Sequence, residues 1–296
     1  MEVVAHAKIN WDLRVLGKRR DGFHQLDTVM VPITLADLLT VAAADSWSLT
    51  SSDPSLPING QNLVSKAAWT FASLAGVKAQ ARVVLGKAIP CAAGLGGGSS
   101  DAAAALIGLN RLWKLDWPRS RLAEVARQVG SDVPFFLYGG WCSCRGRGED
   151  VTPLPGATAW PPVKLLLVAP PFEVRTASVY QATGAPPWNG EAGRSAAQAA
   201  EEVRDQLSAL AAGEAAPGWP DNQLQDAAIR IEPRLADLRE ALEKSAPGRW
   251  QMSGSGSAHF VVLSAKTSAA EIEERLRALP FPLRVIETTT LSKQEE

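Results

Sequence analysis

Residues 90–101 read Pro90-Cys91-Ala92-Ala93-Gly94-Leu95-Gly96-Gly97-Gly98-Ser99-Ser100-Asp101, and Ala102 to Ala105 follow without a break. Glycine lets a backbone approach an anion closely and adopt positive φ. The alanine run is a strong helix former, so the stretch is a glycine loop feeding a helix. The first amides of such a helix have no intrahelical acceptor, and its dipole favours negative charge there. The pattern predicts a phosphate cradle, with Ser99 or Ser100 as N-cap. A P-loop would end in Gly-Lys-Ser/Thr, whereas Gly98 is followed by two serines. A Rossmann fingerprint would need Gly or Ala at Ser99 and an acid at the end of the next strand. Asp116 has the spacing, but it lies between two helical stretches, 101–114 and 119–129. A flexible linker would not be bordered by a well-formed apolar helix.

Composition bounds the rest. A chain of 296 residues predicts about two domains. With 46% hydrophobic and 21% charged residues it reads as globular. Thirty basic against 31 acidic residues leave no global field for nucleic acid or an anionic membrane. No run of 18 apolar residues marks a membrane span. Met1-Glu2-Val3-Val4 lacks the basic-then-apolar pattern of a secretory signal. The expectation is a cytoplasmic protein. Cys91, Cys142 and Cys144 with three dispersed histidines do not supply a closed zinc site and suit a reducing compartment. Cys91 reads as a small buried thiol. The ten tryptophans, scattered from Trp11 to Trp250, read as core and surface filling.

From the glycine loop outward, residues 79–85 predict the strand that leads into it and 62–74 a helix ending at Gly76. Nearer the N-terminus, His6 to Leu16 alternates. Ala7, Ile9, Trp11, Leu13 and Val15 share one face, and His6, Lys8, Asn10, Asp12 and Arg14 the other. The turn 17–22 carries an Asp-Gly signal, and Phe23 to Val31 and Leu35 to Val41 read as further sheet. The segment 45–53 reads as polar loop, and 135–144 as sheet. Pro153, Pro155, Pro161 and Pro162 mark a boundary, giving domains 1–156 and 157–296. Within the second, 184–218 reads as a variable insertion whose middle, 195–211, is one exposed helix. Helices follow over 223–231 and 233–244, then strand, Gly-Ser loop and strand over 250–263, a helix over 269–279 and a closing strand over 283–288. Without strict βαβ alternation the class is α+β.

Four segments fall in a telling order: Ala7-Lys8-Ile9-Asn10, the loop Pro90 to Asp101, Gly130-Ser131-Asp132-Val133-Pro134-Phe135, and Ser253-Gly254-Ser255-Gly256-Ser257. Together they resemble the GHMP kinase superfamily. Arg20-Asp21-Gly22-Phe23-His24 and Gly146-Arg147-Gly148-Glu149 narrow the resemblance to its kinases for 4-diphosphocytidyl-2-C-methyl-D-erythritol, in the non-mevalonate isoprenoid pathway. The likeness spans nearly the whole chain and is weakest over 184–218. It implies an N-terminal domain similar to the second domain of ribosomal protein S5, a ferredoxin-like C-terminal domain, and a cleft between them for ATP and a small-molecule substrate. Nucleic acid and membrane are not expected partners.

The resemblance also implies roles. Asp132 matches the catalytic base for the 2-hydroxyl of the substrate, and Lys8 its partner. A lysine there keeps the carboxylate ionised and steadies charge on the transferring group. Taken singly, Lys8 reads as a solvated strand lysine and Asp132 as a turn or N-cap residue; their occurrence together with the loop supports the catalytic reading. Residues 90–100 would wrap the ATP phosphates, with Ser99 or Ser100 on Mg²⁺. Asn10 would hold the methylerythritol hydroxyls, Phe23 would stack on cytosine and His24 would bond its edge. Tyr180 is either the opposing aromatic or a core residue. Gly254, Ser255 and Gly256 would form a second loop near the substrate. Where the family reads Asn-Asp-Leu-Glu, this chain has Asn222-Gln223-Leu224-Gln225, which bears on the cleft if either acid shapes it. A homoserine- or mevalonate-type GHMP kinase and a non-catalytic ATP-binding relative are the competing readings.

Overall fold

A computed structural model describes residues 1–214, 216–219, 221–264 and 268–292. The chain opens with two long antiparallel strands, β1 (Glu2–Lys18) and β2 (His24–Ala42). Strand β2 is the spine of the first sheet. One edge pairs with β1; the other pairs with β4 (Arg82–Gly86) at one end and β5 (Cys142–Gly146) at the other. Strands β3 (Ser48–Ser51) and β6 (Asp150–Pro153) complete the order β3-β4-β2-β5-β6, with β3 parallel to β4. Helices α1 (Leu63–Ala75), α2 (Gly97–Leu112), α3 (Arg119–Val129) and α4 (Phe135–Tyr138) pack on one face around Phe71, Leu106 and Phe135.

The second sheet contains β7 (Lys164–Ala169), β8 (Trp250–Met252), β9 (His259–Val262) and β10 (Arg284–Thr289) in the order β10-β7-β9-β8, every pair antiparallel. Counted along the chain this is fourth, first, third, second, the arrangement expected of a ferredoxin-like domain. Its helices are α5 (Thr176–Ala182), α6 (Ala196–Ala212), α7 (Gln225–Ile231), α8 (Arg234–Ser245) and α9 (Ala269–Leu276). Strand β7 is buried on both faces: Leu166 and Val168 meet the α8 side, while Leu165 and Leu167 face the first sheet. None of the described helices is long and apolar enough to cross a membrane.

Between the sheets lies an apolar layer that includes Ala7, Ile9 and Trp11 of β1. The alternation of β1 thus has two buried destinations. Its apolar residues fill the layer between the domains, while Lys8, Asn10 and Asp12 are also at most 3% exposed. Trp11 is the centre of an aromatic group, 5.1 Å from Trp141, 5.4 Å from Trp219 and 5.9 Å from Phe260 between ring centres. The scattered tryptophans therefore include one interface cluster.

Several local expectations change. The apolar run Phe135–Tyr138 is a short helix, and strand resumes only at Cys142. The polar stretch 45–53 contains β3, whose Leu49 is buried. Helix α6 is not merely exposed. Ala199, Ala200, Val203 and Leu210 enter the layer between the sheets, and Gln206 accepts the Trp11 indole N–H at 2.8 Å. Just before α6, Arg194 is buried and clamps the hairpin. It donates to Asp12 at 2.8 Å, to Asp27 at 2.9 Å and to Glu202 at 2.7 Å. Burial pushes the Asp12 carboxyl up, and the Arg194 guanidinium opposes that shift.

Removing one partner of a buried ion pair leaves an uncompensated charge, at about 3–5 kcal/mol. Arg194→Met should lower the free energy of urea unfolding by that amount at pH 7. A change below about 1 kcal/mol would mean that Asp12 and Asp27 do not depend on it.

Candidate active site

The polar face of β1 is the floor of a cavity of about 930 Å³, walled by both domains. On one side the glycine loop folds over Lys8, whose backbone N–H donates to Leu95 O at 2.9 Å. Helix α2 starts at Gly97 with Gly96 as its N-cap, in the left-handed region at φ 69° and with no side-chain cap. This corrects the expectation for Ser99 or Ser100. A side chain at Gly96 would also collide, because a Cβ there lies 2.8 Å from Phe136 and 3.0 Å from Lys8 Cγ. The amides of Gly97, Gly98 and Ser99 form the first helical turn and have no acceptor inside the helix. Residues 90–99 line the cavity; Ser100 is buried away from it. Cys91 is exposed on the cavity wall, not buried. The expectation of burial rested on residue type alone, since a small thiol is usually buried.

Below the loop, Lys87 bridges Asp37 and Asp101, reaching Asp101 at 2.9 Å. Burial is the main cause that raises the Asp101 carboxyl, to about 7. Asp37 also accepts the N–H of Ile89 at 2.9 Å, so the start of the loop is anchored from beneath.

The two glycine loops touch. Ser253 Oγ donates to Gly94 O at 3.0 Å, and a Cβ on Gly94 would lie 2.2 Å from Ser253 O. Only glycine permits that approach. Gly254 and Ser255 line the cavity, while Gly256 faces Met252 and does not. Asn222 secures this second loop by donating to Met252 O at 2.7 Å and Gly254 O at 2.9 Å. Neither Gln223 nor Gln225 lines the cavity, and Gln223 Oε1 accepts the Val15 N–H at 2.8 Å. An amide performs that task as well as a carboxylate, so this departure does not alter the cleft wall.

Lys8 Nζ sits where these segments meet. It donates to Asn10 Oδ1 at 2.5 Å and Gly94 O at 2.9 Å, and lies 3.7 Å from Asp132 Oδ2. Burial pulls its pKa below the usual lysine value, and the Asp132 charge opposes that. The Asp132 side chain is 31% exposed and opens to the cavity. Gly148 gives it room: a Cβ there would lie 3.3 Å from Asp132 Oδ1. The buried amide of Asn10 is turned towards Lys8 and Thr28.

At the far end the cavity is aromatic. Phe23, His24 and Tyr180 all line it, and His24 stacks on Tyr180 at 5.1 Å between centres. Burial, and then the charge of Lys18, lowers the His24 pKa, so the ring is neutral at pH 7. Burial raises the Tyr180 pKa. Arg147 lies over the Phe23 ring, 4.8 Å from its centre. An arginine between two glycines in Gly146-Arg147-Gly148-Glu149 is the sequence signal for this contact. The wall formed by Leu56, Pro57 and Leu63 beside the first loop has no signal in the sequence, because its residues carry no chemical signature.

The left-handed region costs a non-glycine residue about 1–2 kcal/mol. Gly96→Ala should therefore weaken ATP binding, measured by calorimetry, by about tenfold or more. Affinity within about twofold of the parent would remove this loop from phosphate binding.

Comparison with known proteins agrees with this layout. Residues 62–140 match the GHMP kinases N terminal domain and residues 196–280 the GHMP kinases C terminal domain. A 4-diphosphocytidyl-2-C-methyl-D-erythritol kinase of Pelotomaculum thermopropionicum is 40% identical over 291 residues, 96% of each chain. A crystal structure of 4-(cytidine 5'-diphospho)-2C-methyl-D-erythritol kinase superposes with a TM-score of 0.75 at 36% identity, covering 98% of this chain and 100% of the other. A homoserine kinase from Cytophaga hutchinsonii shares the fold, with a TM-score of 0.68 at 21% identity over 99% of this chain and 95% of its own.

Proposed function

The chain belongs to the 4-diphosphocytidyl-2-C-methyl-D-erythritol kinases of the GHMP family, and from that we infer that it transfers the γ-phosphoryl group of ATP to the 2-hydroxyl of that cytidyl substrate. One observation supports the assignment of residues above all. The buried Lys8 ammonium, the Asp132 carboxylate and the free helix amides of the glycine loop face one cavity with an aromatic far end.

Phosphoryl transfer is mostly positioning and charge neutralisation. The amides of Gly97, Gly98 and Ser99 and the N-terminus of α2 hold the phosphates of ATP, and the apolar wall of Leu56, Pro57 and Leu63 receives its base. Asp132 accepts the proton of the 2-hydroxyl as that oxygen bonds to the γ-phosphorus. The bond from the γ-phosphorus to the β,γ-bridging oxygen breaks, and ADP leaves with the electron pair. Lys8, 3.7 Å from Asp132, neutralises charge on the transferring group. Phe23 offers a stacking face for cytosine. His24, neutral at pH 7, has one donor and one acceptor nitrogen for the base edge. Tyr180 supports His24 by stacking, and Gly254 and Ser255 border the methylerythritol.

The donor set also fits magnesium. Among the described residues no three His, Cys, Asp or Glu side chains form a ready metal cage. Magnesium commonly keeps several waters and takes phosphate oxygens together with few protein ligands. Ser99, half-buried and on the cavity wall, is the hydroxyl that would hold it; Ser100 is buried. When bound, the ion neutralises phosphate charge.

ADP release with Mg·ATP and the cytidyl substrate, alongside mevalonate, homoserine and no acceptor, tests the function. Turnover is expected with the cytidyl compound alone. Phosphorylation of mevalonate or homoserine without the cytidyl compound, or ATP binding without turnover, would contradict it.

A further inference from the structure

We propose that Thr28, which does not line the cavity, is a positioning residue for this reaction, because its hydroxyl decides which end of the Asn10 amide faces Lys8. The proposal rests on the role given to Lys8 above.

The two ends of an asparagine amide are nearly the same shape, so their partners set the orientation. Thr28 Oγ1 donates its one hydrogen to Asp12 O at 2.5 Å. That carbonyl can only accept. What remains on the hydroxyl for Asn10 is a lone pair, and Asn10 Nδ2 donates to it at 2.9 Å. The amide oxygen is thereby turned to Lys8, whose Nζ donates to it at 2.5 Å. The opposite orientation would set N–H against ammonium, donor against donor. With Asn10 Oδ1 and Gly94 O taking two hydrogens, the third is left on the side of Asp132.

The carbonyl that starts this relay is itself fixed. Asp12 Oδ1 accepts the Val29 N–H at 2.8 Å, and Oδ2 accepts from Arg194 at 2.8 Å. The β1–β2 register slips between Asn10 and Asp12, and such bulges re-aim groups beside functional sites. The order is therefore Arg194, Asp12, Thr28, Asn10, Lys8. Every member is buried, from 0% exposure at Thr28 to 8% at Arg194. Bulk water is not at hand to replace a missing hydroxyl.

The test compares Thr28→Val, which keeps the shape and loses the hydroxyl, with Thr28→Ser, which keeps the hydroxyl. Misplacing a group by about 1 Å can cost about 100-fold in rate. Thr28→Val is expected to lower kcat by about tenfold to 100-fold, with KM for ATP and acceptor within about twofold. Thr28→Ser should stay within about threefold of the parent. In a Lys8→Ala background Thr28→Val should cost nothing further, as coupled residues are not additive. Wild-type ATP affinity certifies the fold, and Thr28→Ala carries the same expectation should the valine variant not fold.

A second readout needs no turnover. In ¹⁵N-labelled unliganded protein, the Asn10 side-chain amide should exchange slowly with solvent in the parent and in Thr28→Ser, and fast in the valine or alanine variant. Unchanged kcat in both hydroxyl-free variants, multiplicative effects with Lys8→Ala, or an unaltered Asn10 signal would overturn the proposal. A parent without turnover that still shows the Asn10 effect would overturn the functional reading and leave the relay standing.

Discussion

A buried ammonium must be given acceptors or lose its charge, and the site is organised around that constraint at Lys8. Its acceptors come from separate parts of the chain. Asn10 lies on the same strand, Gly94 is in the first glycine loop, and Asp132 follows α3. Burial works against the charge and Asp132 works for it. The Lys8 nitrogen is thus held close to a carboxylate without tight contact, at 3.7 Å. A tighter ion pair would satisfy Lys8 and take Asp132 out of use.

Strand β1 reconciles this polar centre with a stable interior. One face puts Ala7, Ile9 and Trp11 into the apolar layer between the sheets, and the other carries Lys8 and Asn10 to the cavity. The contact of Ser253 with Gly94 then brings the second domain to within a hydrogen bond of the first loop. Since Asn222 also holds the second loop, the geometry at Lys8 depends on both domains together. The charged clamp of Arg194 on Asp12 and Asp27 fixes the same hairpin a few residues further along β1.

Much of this was legible in residue order. Period-two alternation over 6–16 identified a strand with two distinct faces, and the glycine loop before an alanine run identified the start of a helix, which the structure places on the cavity wall. Other features were hidden for physical reasons. Gly96 caps α2 through its backbone conformation, which a rule based on serine side chains misses. Phe135–Tyr138 is too short for periodicity to separate a turn of helix from a strand. The segment around Arg194 looks polar and variable, yet its charge is matched by Asp12 and Asp27, more than 160 residues away in the chain. Thr28 looks like any strand threonine until its two hydrogen-bond partners are known. The Phe23, His24 and Tyr180 cluster needs the fold, because Tyr180 comes from the other domain.

The most direct measurement is the turnover of Asp132→Asn with Mg·ATP and 4-diphosphocytidyl-2-C-methyl-D-erythritol, with ATP affinity measured on the same preparation. Asparagine keeps the shape beside Lys8 and cannot take up the proton of the hydroxyl. If Asp132 accepts that proton beside a charged Lys8, kcat falls by about 100-fold or more while ATP affinity is little changed. Turnover close to that of the parent would contradict the account and leave the buried Lys8 ammonium without the partner on which its role depends.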